Sequence, residues 1–159
     1  MVHIGKDEAV SPTQASPSCV VTPLRHVEGE RRTYEGFLQP FVSHSHSHCI
    51  IGLIRHGMRT LECNGETYAL VPGDVIVFNP GDVHGCVQSG EGVFAYDSFV
   101  LPQCAFGSTK LAGPVLRNRG AHDAFTVFAD TVERAADRYE AEDALFALRV
   151  ALAPNGVAE

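Results

Sequence analysis

The sequence predicts a mostly β domain, a small closed barrel followed by two α-helices, and three observations carry that expectation. Between Arg31 and Val100 short apolar runs alternate with Gly, Pro, Asn and Asp, the punctuation of strands joined by tight turns. Within that stretch, His44-Ser45-His46-Ser47-His48 has the period-two spacing that sets three imidazoles on one face of a strand, and His84 arrives from a distant segment to join them in a pocket. After Gly120 apolar residues recur at three- and four-residue steps, which is helical periodicity.

Residues 1–20 are rich in Ser, Pro, Thr and Gln without periodicity, and a mobile arm able to fold over a ligand is expected there. Asn64-Gly65 separates Thr60-Leu61-Glu62-Cys63 from Glu66-Thr67-Tyr68-Ala69-Leu70, and this pair favours a type I′ hairpin because both central residues need positive φ. Pro72-Gly73-Asp74 turns the chain into Val75-Ile76-Val77-Phe78, apolar on both faces and therefore expected to be covered on both. Asn79-Pro80-Gly81-Asp82 ends that strand and delivers His84 just past a corner. A further strand is expected from Gly92 to Val100, carrying Phe94, Tyr96 and Phe99. One helix is expected around Phe125, Phe128 and Val132, with Asp123 in its first turn. A second is expected from Glu142 to Leu152, where Leu145, Leu148 and Leu152 form a stripe that buries either against a second copy of the chain or against its own barrel.

At 159 residues and 45% apolar content, one folded domain is expected. The formal charge of −7 argues against this chain gripping nucleic acid, which takes clustered Lys and Arg. Five scattered cysteines without a Cys-x-x-Cys pair predict reduced, mostly buried thiols and neither a disulfide framework nor a thiolate zinc knuckle. No apolar run is long enough for a membrane helix, and residues 1–19 lack a signal-peptide pattern, so the cytoplasm is the expected compartment.

The chain also resembles a known family. His44-Ser45-His46-Ser47-His48-Cys49-Ile50-Ile51-Gly52-Leu53-Ile54 with Gly57, and then Tyr68-Ala69-Leu70-Val71-Pro72-Gly73-Asp74 running to Asn79-Pro80-Gly81-Asp82-Val83-His84, resemble the two histidine motifs of the cupin domain at the amino end of AraC/XylS-type bacterial transcriptional regulators. The resemblance runs from about Thr33 to Leu152. It implies a cupin-type double-stranded β-helix, a jelly-roll barrel, over residues 21–118 and a helical pair over 119–153 that serves as a dimerisation element. It also implies a carboxyl-terminal region with two helix-turn-helix motifs that this chain does not include. The partners so implied are a small-molecule effector, a second copy of the chain, and DNA through that further region only, with no membrane.

His44, His46 and His84 match the family's three metal-ligating histidine positions, while the position of its glutamate falls at Ile50 or Ile51. Without a carboxylate the redox iron chemistry of two-His-one-carboxylate sites is disfavoured. Three neutral imidazoles plus water can still hold a divalent ion such as zinc, and the alternative is a polar pocket that hydrogen-bonds the ligand directly. His48 takes the place of His44 if the strand register differs. Phe78, Tyr96 and Phe94 are expected as core that can also stack on a ligand. Asp74 and Asp82 are expected to cap turns, Arg55 and Arg59 to be solvated loop charges, and His3, His26, His56 and His122 to be incidental.

Two functions compete. The first is an effector sensor whose occupied barrel changes how two DNA-binding regions are presented, with no catalysis. The second is a freestanding metal-dependent cupin enzyme, a dioxygenase or isomerase, for which no convincing acid or base and no Ser-His-Asp motif is found.

Overall fold

The computed structural model of the chain describes residues 17–107 and 110–154. Among the described residues ten strands, a short 3-10 helix (Gln103–Phe106) and two α-helices follow, the strands being β1 (Ser18–Pro23), β2 (Glu30–Phe37), β3 (Phe41–His44), β4 (Cys49–His56), β5 (Arg59–Cys63), β6 (Glu66–Leu70), β7 (Val75–Phe78), β8 (His84–Gln88), β9 (Phe94–Leu101) and β10 (Val115–Leu116). The helices are α1 (Arg119–Arg134) and α2 (Arg138–Ala151). A six-stranded antiparallel sheet in the order β1-β2-β9-β4-β7-β10 faces a four-stranded sheet in the order β3-β8-β5-β6, which is the jelly-roll of a cupin.

The large sheet is covered on both sides, and the apolar residues sort accordingly. Ile50 pairs with Phe78 and both face the small sheet, joining Ile54, Leu61, Leu70, Ile76 and Phe94 inside the barrel. Ile51 pairs with Val77 and both face the helices, where Phe99 and Leu101 meet Phe125, Phe128, Val132, Leu148 and Leu152. This is why Val75–Phe78 is apolar at every position: all four residues are buried, alternately in one layer and the other.

The expected turns are present. Asn64 and Gly65 both have positive φ, +49° and +84°, the backbone of a type I′ hairpin between β5 and β6. Pro72-Gly73 and Pro80-Gly81 repeat one device: proline then glycine at positive φ, closed by the Asp74 N–H on the Val71 carbonyl and the Asp82 N–H on the Asn79 carbonyl. Asp74 and Asp82 reach back to accept the N–H groups of Val71 and Asn79, as turn caps, and Asp74 also pairs with Arg117.

Several expectations need correction. Most of the arm at 1–20 lies outside the described residues, but Ser18, Cys19 and Val20 belong to β1. Helix α1 is capped by Asn118, whose side chain accepts the Ala121 N–H at 2.8 Å, and Asp123 lies beyond the first turn. Helix α2 starts at Arg138 rather than Glu142, capped by Asp137, which accepts the Glu140 N–H at 3.0 Å while the Glu140 carboxylate accepts the Ala136 N–H. Of the leucine stripe, Leu148 and Leu152 are fully buried under their own barrel, one of the two partners expected, while Leu145 is only partly buried. His26 is not incidental, since its Nε2 meets the Ala135 carbonyl at the end of α1.

Arg59 departs furthest from expectation. It is fully buried, not a solvated loop charge, because β5 begins at this residue and points it into the barrel end opposite His84. Its guanidinium donates to the carbonyls of Gln39 and Phe37 at 2.6 and 3.1 Å and sits 4.6 Å from the centre of the Phe94 ring, while its Nε lacks a partner. It thereby pins the β2–β3 connection to the barrel. Arg59→Met, which refills the stem volume but withdraws the donors from two carbonyls, is expected to lower stability by about 1–2 kcal/mol in urea denaturation. An unchanged midpoint would show that those carbonyls find water instead. Arg55 does stay partly exposed, paired with Glu35 and Asp97.

Candidate functional site

At the other end of the barrel three imidazoles converge. His44 closes β3, where it pairs with His84 at the start of β8, so the two rings leave neighbouring strands side by side with centres 4.7 Å apart. His46 comes from the loop between β3 and β4, not from a continuing strand, and folds back so that its Nε2 lies 2.8 Å from that of His44. One ring nitrogen from each of His44, His46 and His84 lies within 4.8 Å of the others, close enough to hold a metal ion. Because the strand ends at His44, His48 is not carried to the same face: it is exposed, beside Ser47, and does not line the cavity.

Backbone carbonyls orient the rings. Nδ1 of His84 lies 3.0 Å from the Asp82 carbonyl, and Nδ1 of His44 contacts the carbonyl of Val42. A carbonyl only accepts, so in each ring Nδ1 carries the hydrogen and Nε2 presents its lone pair toward the cluster. This is the outer-shell arrangement that readies histidine for a metal. Burial pushes the His84 pKa down to about 4, an effect reinforced by His44 and His46 and opposed by the Asp82 carbonyl. Burial, then the His44 charge, lowers His46 too. Both rings are therefore neutral at pH 7; with the His44 lone pair on Nε2, the 2.8 Å contact makes the His46 Nε2–H its donor, so His46 ligates through Nε2 only after that hydrogen moves to Nδ1.

The cluster caps a cavity of about 100 Å³. Phe78 stacks on His84 at 3.7 Å between ring centres, and Tyr34 stacks on Tyr96 at 4.6 Å further along the wall. Of the expected pocket residues, His44, His46, His84, Phe78 and Tyr96 are brought together. Ile50 occupies the inward position that a glutamate would need, whereas Ile51 faces the helices, and among the described residues no carboxylate lines the cavity. Arg32, Tyr34 and Phe41 line it as well and escaped the sequence reading; alternation along Arg32-Thr33-Tyr34 was the available signal. Arg32 is held at the wall by Glu30, 2.5 Å away.

The polar lining groups are imidazoles, a guanidinium, two phenols, the Cys86 thiol and Ser98; only the guanidinium is restricted to donating, and the rest of the wall is aromatic or aliphatic. The volume is about two thirds of the roughly 150 Å³ that holds benzene in an engineered cavity.

Comparison with known proteins bears on the family of the chain. The profile of the AraC-like ligand binding domain matches residues 26–148, most of the chain. An uncharacterized HTH-type transcriptional regulator of Bacillus subtilis, YbfI, is 41% identical over 66 residues, which are 42% of this chain and 23% of that protein. The chain thus spans under a quarter of the length of that curated relative. Among solved structures, a Klebsiella pneumoniae protein with a double-stranded β-helix domain is 28% identical, covering 62% of this chain and 87% of its own, with a TM-score of 0.48. KdgF from Halomonas sp. is 22% identical over 53% of this chain and 77% of its own, with a TM-score of 0.46.

Proposed function

Because the chain belongs to the AraC-like ligand binding domain family, we propose that it is the effector-sensing domain of a cytoplasmic bacterial transcriptional regulator, governing DNA binding by a helix-turn-helix region outside this sequence. The observation that carries this reading is the small cavity walled by aromatic rings and capped by three imidazoles. An effector held there touches Arg32 and Tyr34 on β2, His44 and His46 around the β3–β4 loop, and His84 on β8, so its binding energy can favour one arrangement of these elements over another.

We further propose that His44, His46 and His84 hold a divalent ion such as zinc through Nε2. When bound, the metal would supply a Lewis-acidic contact for an oxygen of the effector. The three side chains hold that position, the Val42 and Asp82 carbonyls keep the tautomers of His44 and His84, and Phe78 fixes the plane of His84. Two copies of the chain are part of the same reading.

In cells carrying the complete regulator and a reporter at its promoter, His84→Ala is expected to abolish the response while the protein still accumulates. Titration calorimetry of the isolated chain with zinc should show one site, weakened at least tenfold in His84→Ala and His46→Ala and unchanged in His48→Ala. A full reporter response in His84→Ala would remove the cavity from the sensing mechanism. The rival reading, a metal-dependent cupin enzyme, shares the three imidazoles, and turnover of a small substrate by metal-loaded protein would favour it.

A further inference from the structure

We infer that the effector is a small organic monocarboxylate: its carboxylate takes Arg32 away from Glu30 at the throat of the cavity, while its hydrocarbon end enters among the aromatic rings. This deepens the effector-sensing part of the proposed function and rests on it.

Arg32 stands at a passage. With His46, Ile50 and Val100 it lines both the cavity and an outer depression beside it, and that depression also holds Glu28 and Glu30. Glu30, Arg32 and Tyr34 alternate onto one face of β2, with the acid on the outer side of the guanidinium and the phenol on the inner side. A molecule moving inward past Arg32 leaves the acids behind it, since among the described residues no Asp or Glu lines the cavity.

The bond that holds Arg32 is an exchangeable one. Its Nε and Nη2 both donate to a single oxygen, Oε1 of Glu30, at 2.7 and 2.5 Å, so the two-oxygen match of a carboxylate to the guanidinium fork goes unused. The two side chains are 37% and 31% exposed, and ion pairs so placed contribute little to stability. An incoming carboxylate offers both oxygens to the fork from the inner side, where apolar walls stand in place of water and strengthen the attraction.

The far end of the cavity favours the same charge. Arg59 is fully buried, its hydrogen bonds go to the Gln39 and Phe37 carbonyls, and among the described residues no carboxylate pairs with it. Its guanidinium lies 4.6 and 5.5 Å from the ring centres of Phe94 and Phe41, both of which are cavity wall. The cavity thus sits between two guanidiniums and faces no acid, a positive field that draws an anion, repels a cation and does little for a neutral molecule. Phe78, Phe94, Leu61, Leu70 and Ile76 offer apolar contact only, which matches a hydrocarbon end. The exchange also carries a signal, because Glu30 opens β2 and is the register partner of Pro23 on β1 and Val100 on β9.

The test is a nuclear magnetic resonance titration of the chain, freed of metal on a chelating resin, with butyrate, butyramide and butylammonium at fixed ionic strength and pH 7.5. The three probes share a length and differ in charge. Butyrate is expected to shift the amides of Tyr34, Tyr96 and Ser98 to saturation, butyramide to bind at least tenfold more weakly, and butylammonium not to bind. Arg32→Gln should lose butyrate affinity at least tenfold, with Arg32→Lys recovering part of it, whereas Glu30→Gln, which removes the competing acid, should tighten butyrate severalfold. Opposite signs mark an exchange, because an ion pair that only braced the wall would weaken binding when broken from either side. Glu30→Gln and the neutral probe also keep the test decisive if Arg32→Gln fails to fold. Equal binding of the three probes, or a loss in Glu30→Gln, overturns the carboxylate and leaves the cavity as the sensing site. Failure of butyrate to shift the cavity amides overturns it as well. The His84→Ala reporter response, which needs no knowledge of the ligand, then decides separately whether the cavity senses anything.

Discussion

Leu148→Asp is expected to unfold the domain rather than split a dimer. Leu148 is fully buried, as is Leu152 one turn on, in the layer where α2 lies over Phe125 and Phe128 of α1 and Phe99 and Leu101 of the large sheet. Truncating such a leucine costs about 2–5 kcal/mol through lost transfer energy and the residual cavity. An aspartate adds a carboxylate among the apolar side chains of that layer, costing several kcal/mol more unless it takes up a proton. The sum approaches the whole stability of a typical domain, about 5–15 kcal/mol. Far-ultraviolet dichroism should show lost structure at room temperature, independent of protein concentration. Leu148→Ala, the milder change, should fold but melt lower by about 10 °C, as expected for roughly 3 kcal/mol in a domain of this size. A cooperative melt close to the parent's, with only a shift toward monomer, would show that the helical layer is a surface between copies after all.

The same residue shows what the sequence could and could not convey. A leucine stripe at helical spacing announces a buried face but not what buries it, and both partners remained open until the sheet beneath was seen to present Ile51, Val77 and Phe99 outward. Turns were more legible, since Asn64-Gly65 and the two Pro-Gly-Asp corners act through local backbone preference and need no tertiary context. The start of α2 was equally local yet missed: Asp137 and Glu140 have the spacing of a cap and its reciprocal acid, upstream of the first leucine of the periodic run. Arg59 was illegible for the opposite reason. Nothing near it in the chain signals burial, and its partners, the carbonyls of Phe37 and Gln39, are backbone groups that carry no sequence signature.

The histidines divide along the same line. His44 and His84 meet because their strands pair, which spacing foretold in outline. The alternation then fails after His44, where the chain leaves the sheet, and His46 reaches the cluster by loop geometry while His48 is left outside. Period-two reasoning holds only as long as the strand lasts.

Acid should reveal the buried histidine before most carboxylates titrate. His84 is only 7% exposed, and burial lowers its pKa from an ordinary 6.5 to about 4. The unfolded chain takes up this proton as pH falls through 6.5, but the folded protein refuses it until about pH 4. Between those values the unfolded state binds more protons, so acid favours unfolding. The contribution is complete above pH 6.5, declines on the way down to 4 and is spent below that. A shift of this size corresponds to a loss of about 3 kcal/mol across the window, and His46 adds in the same direction. Urea midpoints at pH 7.5, 6.0 and 5.0 should therefore fall progressively, before most carboxylates titrate. His84→Gln, a neutral side chain of similar reach, should flatten most of that slope. Zinc should steepen it, because protons and metal compete for the same lone pairs and a ligand bound only to the folded state adds stability that acid removes. If the parent and His84→Gln share one pH profile with and without zinc, then His84 is open to water and takes up its proton as freely as an unfolded chain, and the three imidazoles are not a metal-ready site.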